Sequence, residues 1–285
     1  MPTATASGTF TIGGDLEVNR LGFGAMRLTG EGIWGLPADV ENAKAVLRRT
    51  VELGVDHIDT ADSYGPETSE QLIAEALHPY PDGLVVATKG GLVREGPGGD
   101  WPKDGRPEHL RAACEGSLKR LRLERIDVYY LHRPDPDVPY EESVGALKEL
   151  RDEGKIRHVA VSNVNMERLA IARGIVDVAV VQNQYSLTDR RAQDVLAECE
   201  RSGIGFVPWA PLDAGALDPS GPVAAIARRH DATPMQVALA WLLHASPAML
   251  PIPGTGSLEH LEENVAAAEL RLDDDELDEL DALAS

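Results

Sequence analysis

Four residues have the types and spacing to move protons. Asp59 closes the short apolar run Val55-Asp56-His57-Ile58, and Tyr64 follows five residues later in Asp59-Thr60-Ala61-Asp62-Ser63-Tyr64-Gly65. Lys89 ends the run 84–89, and His132 ends the run 126–132. An ammonium that follows Leu84-Val85-Val86-Ala87-Thr88 is costly to bury unless a carboxylate meets it, and Asp59 on the neighbouring run is the candidate. An ammonium beside a phenol should lower the phenol's pKa toward working pH, making Tyr64 a usable proton donor or acceptor. Asp59 would keep Lys89 charged and in place, while His132 could give a hydrogen bond to a carbonyl oxygen. Such a set suits addition to a C=O bond or its formation. It offers no obvious nucleophile and no metal-ligand cluster. Taken singly, each residue has a plainer role: a cap for Asp59, a solvated strand-end cation for Lys89, a loop cap for His132, packing for Tyr64. Their convergence on one rim is what favours chemistry.

That convergence depends on the elements between them. Short continuous apolar runs occur at 21–26, 57–60, 84–89, 126–132, 156–162, 178–182, 205–209 and 249–253, the pattern of strands buried on both faces of a parallel sheet. Amphipathic segments lie between them. Ala43, Val46, Leu47 and Val51 fall on one helical stripe. Leu53-Gly54-Val55, Glu153-Gly154-Lys155 and Ser202-Gly203-Ile204 repeat one junction, a helix closed by glycine and followed at once by a strand. Thr233-Pro234-Met235-Gln236 has the form of a capping box with proline at the first helical position. Residues 9–18 alternate about Gly13-Gly14, which predicts a tight β-hairpin. Eight strands alternating with helices over about 250 residues predict a (β/α)8 TIM barrel, with the active site at the carboxyl ends of the strands. A doubly wound sheet is the rival, but its Gly-x-Gly-x-x-Gly turn is missing. With no Pro/Gly-rich linker, residues 1–285 are expected to form one domain.

The totals narrow the partners. In 285 residues the formal net charge is -20, which argues against nucleic acid, since phosphate binding relies on basic residues. No stretch approaches the roughly 20 apolar residues of a membrane span. The N-terminus lacks the basic start and apolar run of a secretion signal. With only two cysteines, Cys114 and Cys199, a disulfide framework is not expected, and a reducing, cytoplasmic location is.

The stretch 59–65, the pair Thr88-Lys89 and the pair Leu131-His132, in this order and spacing, resemble the aldo-keto reductase family. The resemblance covers essentially the whole chain, and the hairpin at 9–18 resembles that family's cover over the barrel bottom. It implies an NAD(P)H-dependent oxidoreductase acting on CH–OH and C=O groups, with Asp59, Tyr64, Lys89 and His132 as the catalytic set. It also implies NADP(H) lying extended across the barrel mouth without a Rossmann turn. Ser162, Asn163 and Gln182 match positions that hold the nicotinamide carboxamide. Trp209, in Val207-Pro208-Trp209-Ala210-Pro211-Leu212, matches the aromatic on which that ring stacks. Met26, Asp59, Ala210, Pro211 and Leu212 belong to the same implied set of cofactor contacts. Pro253-Gly254-Thr255-Gly256-Ser257 resembles the loop that grips the adenosine phosphate, and Glu263 and Asn264 match positions near the adenine. Such a turn offers N–H groups at a helix start, an anion site in its own right, although Ser257 could equally be an ordinary N-cap.

Two departures bear on the cofactor. Many relatives carry Lys or Arg in the phosphate loop, where this chain has Gly254, Gly256 and His260, so a modest preference for NADPH over NADH is expected, with His260 adding a cation when protonated. Asp213 stands where relatives often have glycine. For substrate, Trp34, Trp101, Met26 and Tyr185 are candidate walls of an apolar pocket. Gly32-Ile33-Trp34-Gly35 and the 233–244 segment are most similar to bacterial members that include pyridoxal reductases, which implies a small aromatic aldehyde. The competing expectation is a cofactor-binding regulatory subunit, similar to channel-associated β subunits, with little turnover. A barrel hydrolase or lyase is disfavoured by the Ser162, Asn163, Gln182 and Trp209 pattern. A monomer is the family-level expectation, with an oligomer left open.

Overall fold

The computed structural model describes residues 2–210 and 221–283. An antiparallel hairpin comes first, β1 (Thr9–Ile12) and β2 (Leu16–Asn19). Its loop is the three residues 13–15, one longer than the two-glycine turn expected, with Gly13 and Gly14 at φ 60° and 83°. Seven parallel strands then lie side by side in chain order: β3 (Phe23–Gly24), β4 (His57–Asp59), β5 (Val85–Gly90), β6 (Ile126–Leu131), β7 (Ile156–Ser162), β8 (Val178–Gln184) and β9 (Gly205–Trp209). The connecting helices are α1 (Val40–Glu52), α2 (Thr68–Leu77), α3 (Pro107–Leu121), α4 (Tyr140–Asp152), α5 (Met166–Ile175) and α6 (Gln193–Ser202). After β9 come α7 (Pro222–Arg229), α8 (Pro234–Ala245), α9 (Leu258–Ala266) and α10 (Asp274–Asp281). No described helix is long and apolar enough to cross a membrane.

The eighth place in the ring is taken by 249–253, which bridges the two ends of the sheet without a full ladder. Toward β9, Phe206 N–H donates to Ala248 O and Leu250 N–H to Phe206 O, both at 2.8 Å. Toward β3, Gly22 N–H donates to Pro251 O at 2.9 Å and Gly24 N–H to Pro253 O at 3.5 Å. Pro251 and Pro253 have no N–H to return, so that seam is held by their carbonyls alone. The (β/α)8 barrel is thereby closed.

Period-two alternation along each strand decides which side chains meet inside. Val85, Ala87, Val128, Tyr130, Ala160, Val180 and Val207 fill the interior with Leu250 and Ile252. One step further along the same faces come Lys89 after Ala87, His132 after Tyr130, Ser162 after Ala160, Gln182 after Val180, and Trp209 after Val207. Alternate residues such as Tyr129, Leu131, Val159, Val161, Val181 and Phe206 belong to the separate core under the helices. The hairpin closes the other end, with Ile12 and Val18 packed into the interior cluster. Asp15 ties its turn to Arg157 and His158 at 2.8 and 2.7 Å, and Asp56 accepts from the Asn19 backbone and side chain.

Local signals fix the helix ends. Gly54, Gly154 and Gly203 adopt φ of 80°, 77° and 65° at the three repeated junctions. Thr233 and Gln236 form the reciprocal capping box of α8. The buried stripe of α1 is Ala43, Val46, Leu47 and Thr50, with Val51 only half-buried. Thr50 can replace Val51 there because its hydroxyl donates to Val46 O at 2.8 Å, satisfying the one polar atom it buries.

Candidate active site

The barrel mouth gathers Asp59 from the end of β4, Tyr64 from the loop after it, Lys89 from β5 and His132 just past β6. All four are buried, with Lys89 0% and Tyr64 8% exposed. The Lys89 ammonium contacts Asp59 Oδ1, donates to Thr60 O at 2.8 Å and lies 3.5 Å from the Tyr64 hydroxyl. The three acceptors match its three N–H bonds. Burial opposes its charge, but Asp59 and then Tyr64 outweigh burial, so the lysine titrates above its ordinary value.

Tyr64 departs from expectation. Burial raises its pKa above the ordinary phenol value, and the opposing pull of Lys89 does not overcome it, with Asp59 adding to the rise. The resting group is therefore a neutral phenol, a proton donor. Burial, then the positive charges of Lys89 and Arg133, drive the His132 pKa well below the ordinary value, so its imidazole is neutral. Ser63 Oγ lies 3.4 Å from His132 Nδ1, and the Tyr64 and His132 rings meet edge-on at 5.8 Å. Ser63 sits inside the 59–65 stretch, but nothing in its sequence position marks it as a partner of a residue 69 positions away.

Asn163, held at φ 58°, links the next strands. Its amide donates to His132 O at 3.2 Å and Ser162 Oγ at 2.8 Å, and its Oδ1 accepts from Trp209 Nε1 at 3.1 Å. Ser162, Asn163 and Trp209 thus form one chain around the mouth. Gln182 stands apart from them: its amide donates to Asp59 Oδ2 at 2.9 Å, beneath the lysine. Ala210 follows Trp209 at φ 51°, while Pro211, Leu212 and Asp213 lie outside the described residues.

Across the mouth, Met26 is half-buried in the turn after β3, and the 253–257 loop approaches it closely. A Cβ on Gly254 would lie 2.4 Å from Gly24 O, so the two backbones touch where only glycine fits. Thr255 is buried and accepts from Ser257 N–H at 3.1 Å, while Ser257 caps α9 by accepting from His260 N–H at 3.4 Å. His260 is exposed, Glu263 half-buried and Asn264 buried on α9. Of the acidic residues there, Glu262 is paired with Arg49 at 2.7 Å. Arg27, missed by the sequence reading, has its carbonyl 3.4 Å from a Cβ on Gly256, and its exposed side chain has no ion pair among the described residues. The Arg27 backbone therefore lies against the 253–257 loop.

The expected substrate walls separate into two groups. Trp101 meets Tyr64 edge-on at 6.3 Å, and Trp34 is bridged to Gly65, with Gly35 N–H on Gly65 O at 2.6 Å. Tyr185 is not at this wall. It is buried in the core, stacked on Trp241 at 6.0 Å, with its hydroxyl on Gln193 at 2.5 Å. Behind the site, Thr88 and Arg120 both hold the buried Glu70 at 2.6 Å, a network no motif announced.

A closed parallel barrel with a buried ammonium, carboxylate and phenol at its mouth, beside a neutral imidazole, has the groups that proton transfer to an oxygen gaining charge would need. The family model for the Aldo/keto reductase family matches residues 20–285. The chain belongs to that family and is an oxidoreductase. It is 47% identical over 279 residues to an uncharacterised oxidoreductase of Schizosaccharomyces pombe, covering 98% of this chain and 90% of that one. It is 41% identical over 285 residues to pyridoxine 4-dehydrogenase of Escherichia coli, covering 98% and 99%. Among solved structures, an aldo/keto reductase of Klebsiella pneumoniae in complex with NADP and acetate superposes with a TM-score of 0.83 at 30% identity, covering 96% of this chain and 94% of that one.

Proposed function

We propose that this protein reduces an aldehyde or ketone to the alcohol with NADPH, a small aromatic aldehyde such as pyridoxal being the substrate favoured by its likeness to pyridoxine 4-dehydrogenase. The observation that carries the proposal is the Lys89 ammonium, bonded to Asp59 and Thr60 and reaching Tyr64 in a buried site. The mouth suits the cofactor. Ser162 accepts from Asn163 and donates to none of the described residues, Trp209 presents a partly exposed ring, and α9 offers first-turn N–H groups beyond the His260 N–H that Ser257 accepts. When bound, the nicotinamide supplies the hydride.

The rest belongs to the chain. With Ser63 as the donor to His132 Nδ1, 3.4 Å away, the imidazole hydrogen is on Nε2, where it holds the carbonyl oxygen. Tyr64 gives its proton to that oxygen as charge develops there, and Lys89 stabilises the phenolate left behind until solvent returns the proton. Asp59 keeps Lys89 charged, and Gln182 fixes the second carboxylate oxygen. Replacing Tyr64 with Phe is expected to lower kcat about 10²–10⁴-fold, with NADPH affinity nearly unchanged, because the phenol acts in the transition state. Steady-state kinetics with a panel of aldehydes, together with cofactor titration, checks this. Near-normal turnover in Tyr64→Phe would overturn the mechanism. Tight NADPH binding with negligible turnover in the wild type would favour the regulatory-subunit alternative.

A further inference from the structure

Arg94 is a buried cation at the mouth that the chemistry above leaves unused. It is 7% exposed, and its Cζ lies 4.0 Å from the Trp101 ring centroid and 5.9 Å from that of Trp34. Nη2 donates to Gly32 O at 2.9 Å and Gly96 O at 3.1 Å, clasping the first long loop to the third. Nε and Nη1 are buried with no hydrogen-bond partner. That leaves one N–H on Nε and two on Nη1 unspent.

No carboxylate pairs with Arg94 among the described residues, and its neighbours Glu31 and Glu95 are exposed. Desolvation lowers its pKa with no acid to offset the effect. A buried guanidinium ordinarily has its fork matched by a carboxylate or phosphate, because leaving its N–H groups unpaired out of water is costly. The clasp explains only Nη2. Trp101, whose face Arg94 covers, is the ring that meets Tyr64 edge-on at 6.3 Å. The unspent N–H groups and the phenol are thus one indole apart. Trp34 and Trp101, which close off Arg94, are the rings suited to wall the pocket, so a ligand that parts them would meet those groups.

We propose that Arg94 determines substrate specificity by receiving an oxyanion, so that the preferred substrates are carbonyl compounds bearing a carboxylate or phosphate at the end remote from the C=O. This substrate class rests on the reductase function proposed above. Such a ligand suits this locus despite the chain's net charge of -20, because Arg94, with no carboxylate partner among the described residues, is locally cationic, whereas the charge of Lys89 is balanced by Asp59.

The test compares kcat/KM with NADPH for 4-formylbenzoate, 4-formylphenyl phosphate and the neutral 4-formylbenzamide. The wild type is expected to favour at least one anionic aldehyde over the amide by tenfold or more, and which anion is favoured identifies the source of the charge. In Arg94→Met that ratio should fall toward one, and Arg94→Lys should recover part of it. A wild-type ratio of one or less overturns the inference and leaves the reductase function standing, whereas failure to reduce all three aldehydes overturns that function and the inference with it. Equal fractional loss on all three in Arg94→Met reduces the arginine to a clasp and also overturns the inference. If Arg94→Met does not fold, wild-type inhibition decides: benzoate should bind at least tenfold tighter than benzamide, and equal inhibition overturns the inference.

Discussion

At the scale of single residues, the balance around Tyr64 shows how one environment sets opposite charge states. The same burial that raises the phenol also pushes His132 down, while the salt bridge to Asp59 keeps Lys89 charged against it. Residue types alone suggest that Lys89 would bring Tyr64 near neutrality, but desolvation of a phenolate in this pocket is the larger effect. Removing Lys89 therefore has two measurable consequences. Lys89→Met leaves the buried Asp59 carboxylate without its ion partner, which is expected to cost about 3–5 kcal/mol of stability, and adding Asp59→Asn should recover part of it. Lys89 titrates above its ordinary 10.5 in the fold, so its contribution is fully present below that value and is lost only as pH rises through the folded pKa. Urea unfolding of the single and double variants at pH 7 measures the loss and its recovery. Residual alcohol oxidation, which needs the phenolate, should shift to higher pH, since the charge that pulled Tyr64 down is gone.

At the scale of elements, a sparsely bonded seam of the barrel, between β3 and the 249–253 segment, leads directly into the proposed cofactor loop. β3 has two residues, and the 249–253 segment opposing it answers with proline carbonyls only. Close approach compensates: Gly24 and Gly254 touch backbone to backbone, where a Cβ on Gly254 would lie 2.4 Å from a carbonyl oxygen that cannot swing away. Gly254→Ala is expected to destabilise the protein by about 1–3 kcal/mol and to weaken NADPH binding, because opening the seam moves the start of α9. Gly256→Ala is the control, since its Cβ would find its nearest neighbour at 3.4 Å, and it should lose clearly less stability. Thermal unfolding and NADPH titration of the two variants check the contrast. Equal losses would show that the contact at Gly24 is not what holds the seam.

At the scale of the whole molecule, the barrel has a reactive end and a structural end, and the structural end carries a strained titration of its own. His57 precedes Asp59 by two residues on β4, is 4% exposed, and has neither ring nitrogen hydrogen-bonded. Burial holds its pKa down to about 4, and the Asn19 backbone, outside hydrogen-bonding geometry, offsets little of this. The unfolded chain then takes up a proton near 6.5 that the folded chain refuses until about 4, so stability falls as pH drops through that window. Asp56, held up at about 6 chiefly by burial, works in the opposite sense, because the folded state keeps its proton more tightly. His57→Leu removes the acid-labile half of this pair. Relative to the wild type it should gain stability on going from pH 7 to pH 4.5, by about 2 kcal/mol from the size of the histidine shift. Urea unfolding at the two pH values measures it, and a pH-independent difference would mean that His57 is not the group that titrates.

Much of this architecture follows from rules that act over a few residues. The ends of the continuous apolar runs place Asp59, Lys89 and His132 at the barrel rim, glycine after three of the helices sets the junctions at Gly54, Gly154 and Gly203, and Thr233 with Gln236 starts α8, so these were legible in the chain. The last strand was legible in position but not in form, because prolines that suit an apolar run withhold the N–H groups a ladder needs. What only the tertiary structure decided depends on groups distant in sequence and adjacent in space. Tyr185 has the same local signature as a pocket tyrosine, and only Trp241, 56 residues later in the sequence, makes it a core residue. The Arg27 backbone meets the 253–257 turn, and Arg94 settles against Trp34 and Trp101, because the loops after β3 and β5 bring these distant segments together. The charge state of Tyr64 belongs to the same class. It is the sum of desolvation by every surrounding group, and no spacing of residues along a chain encodes that sum.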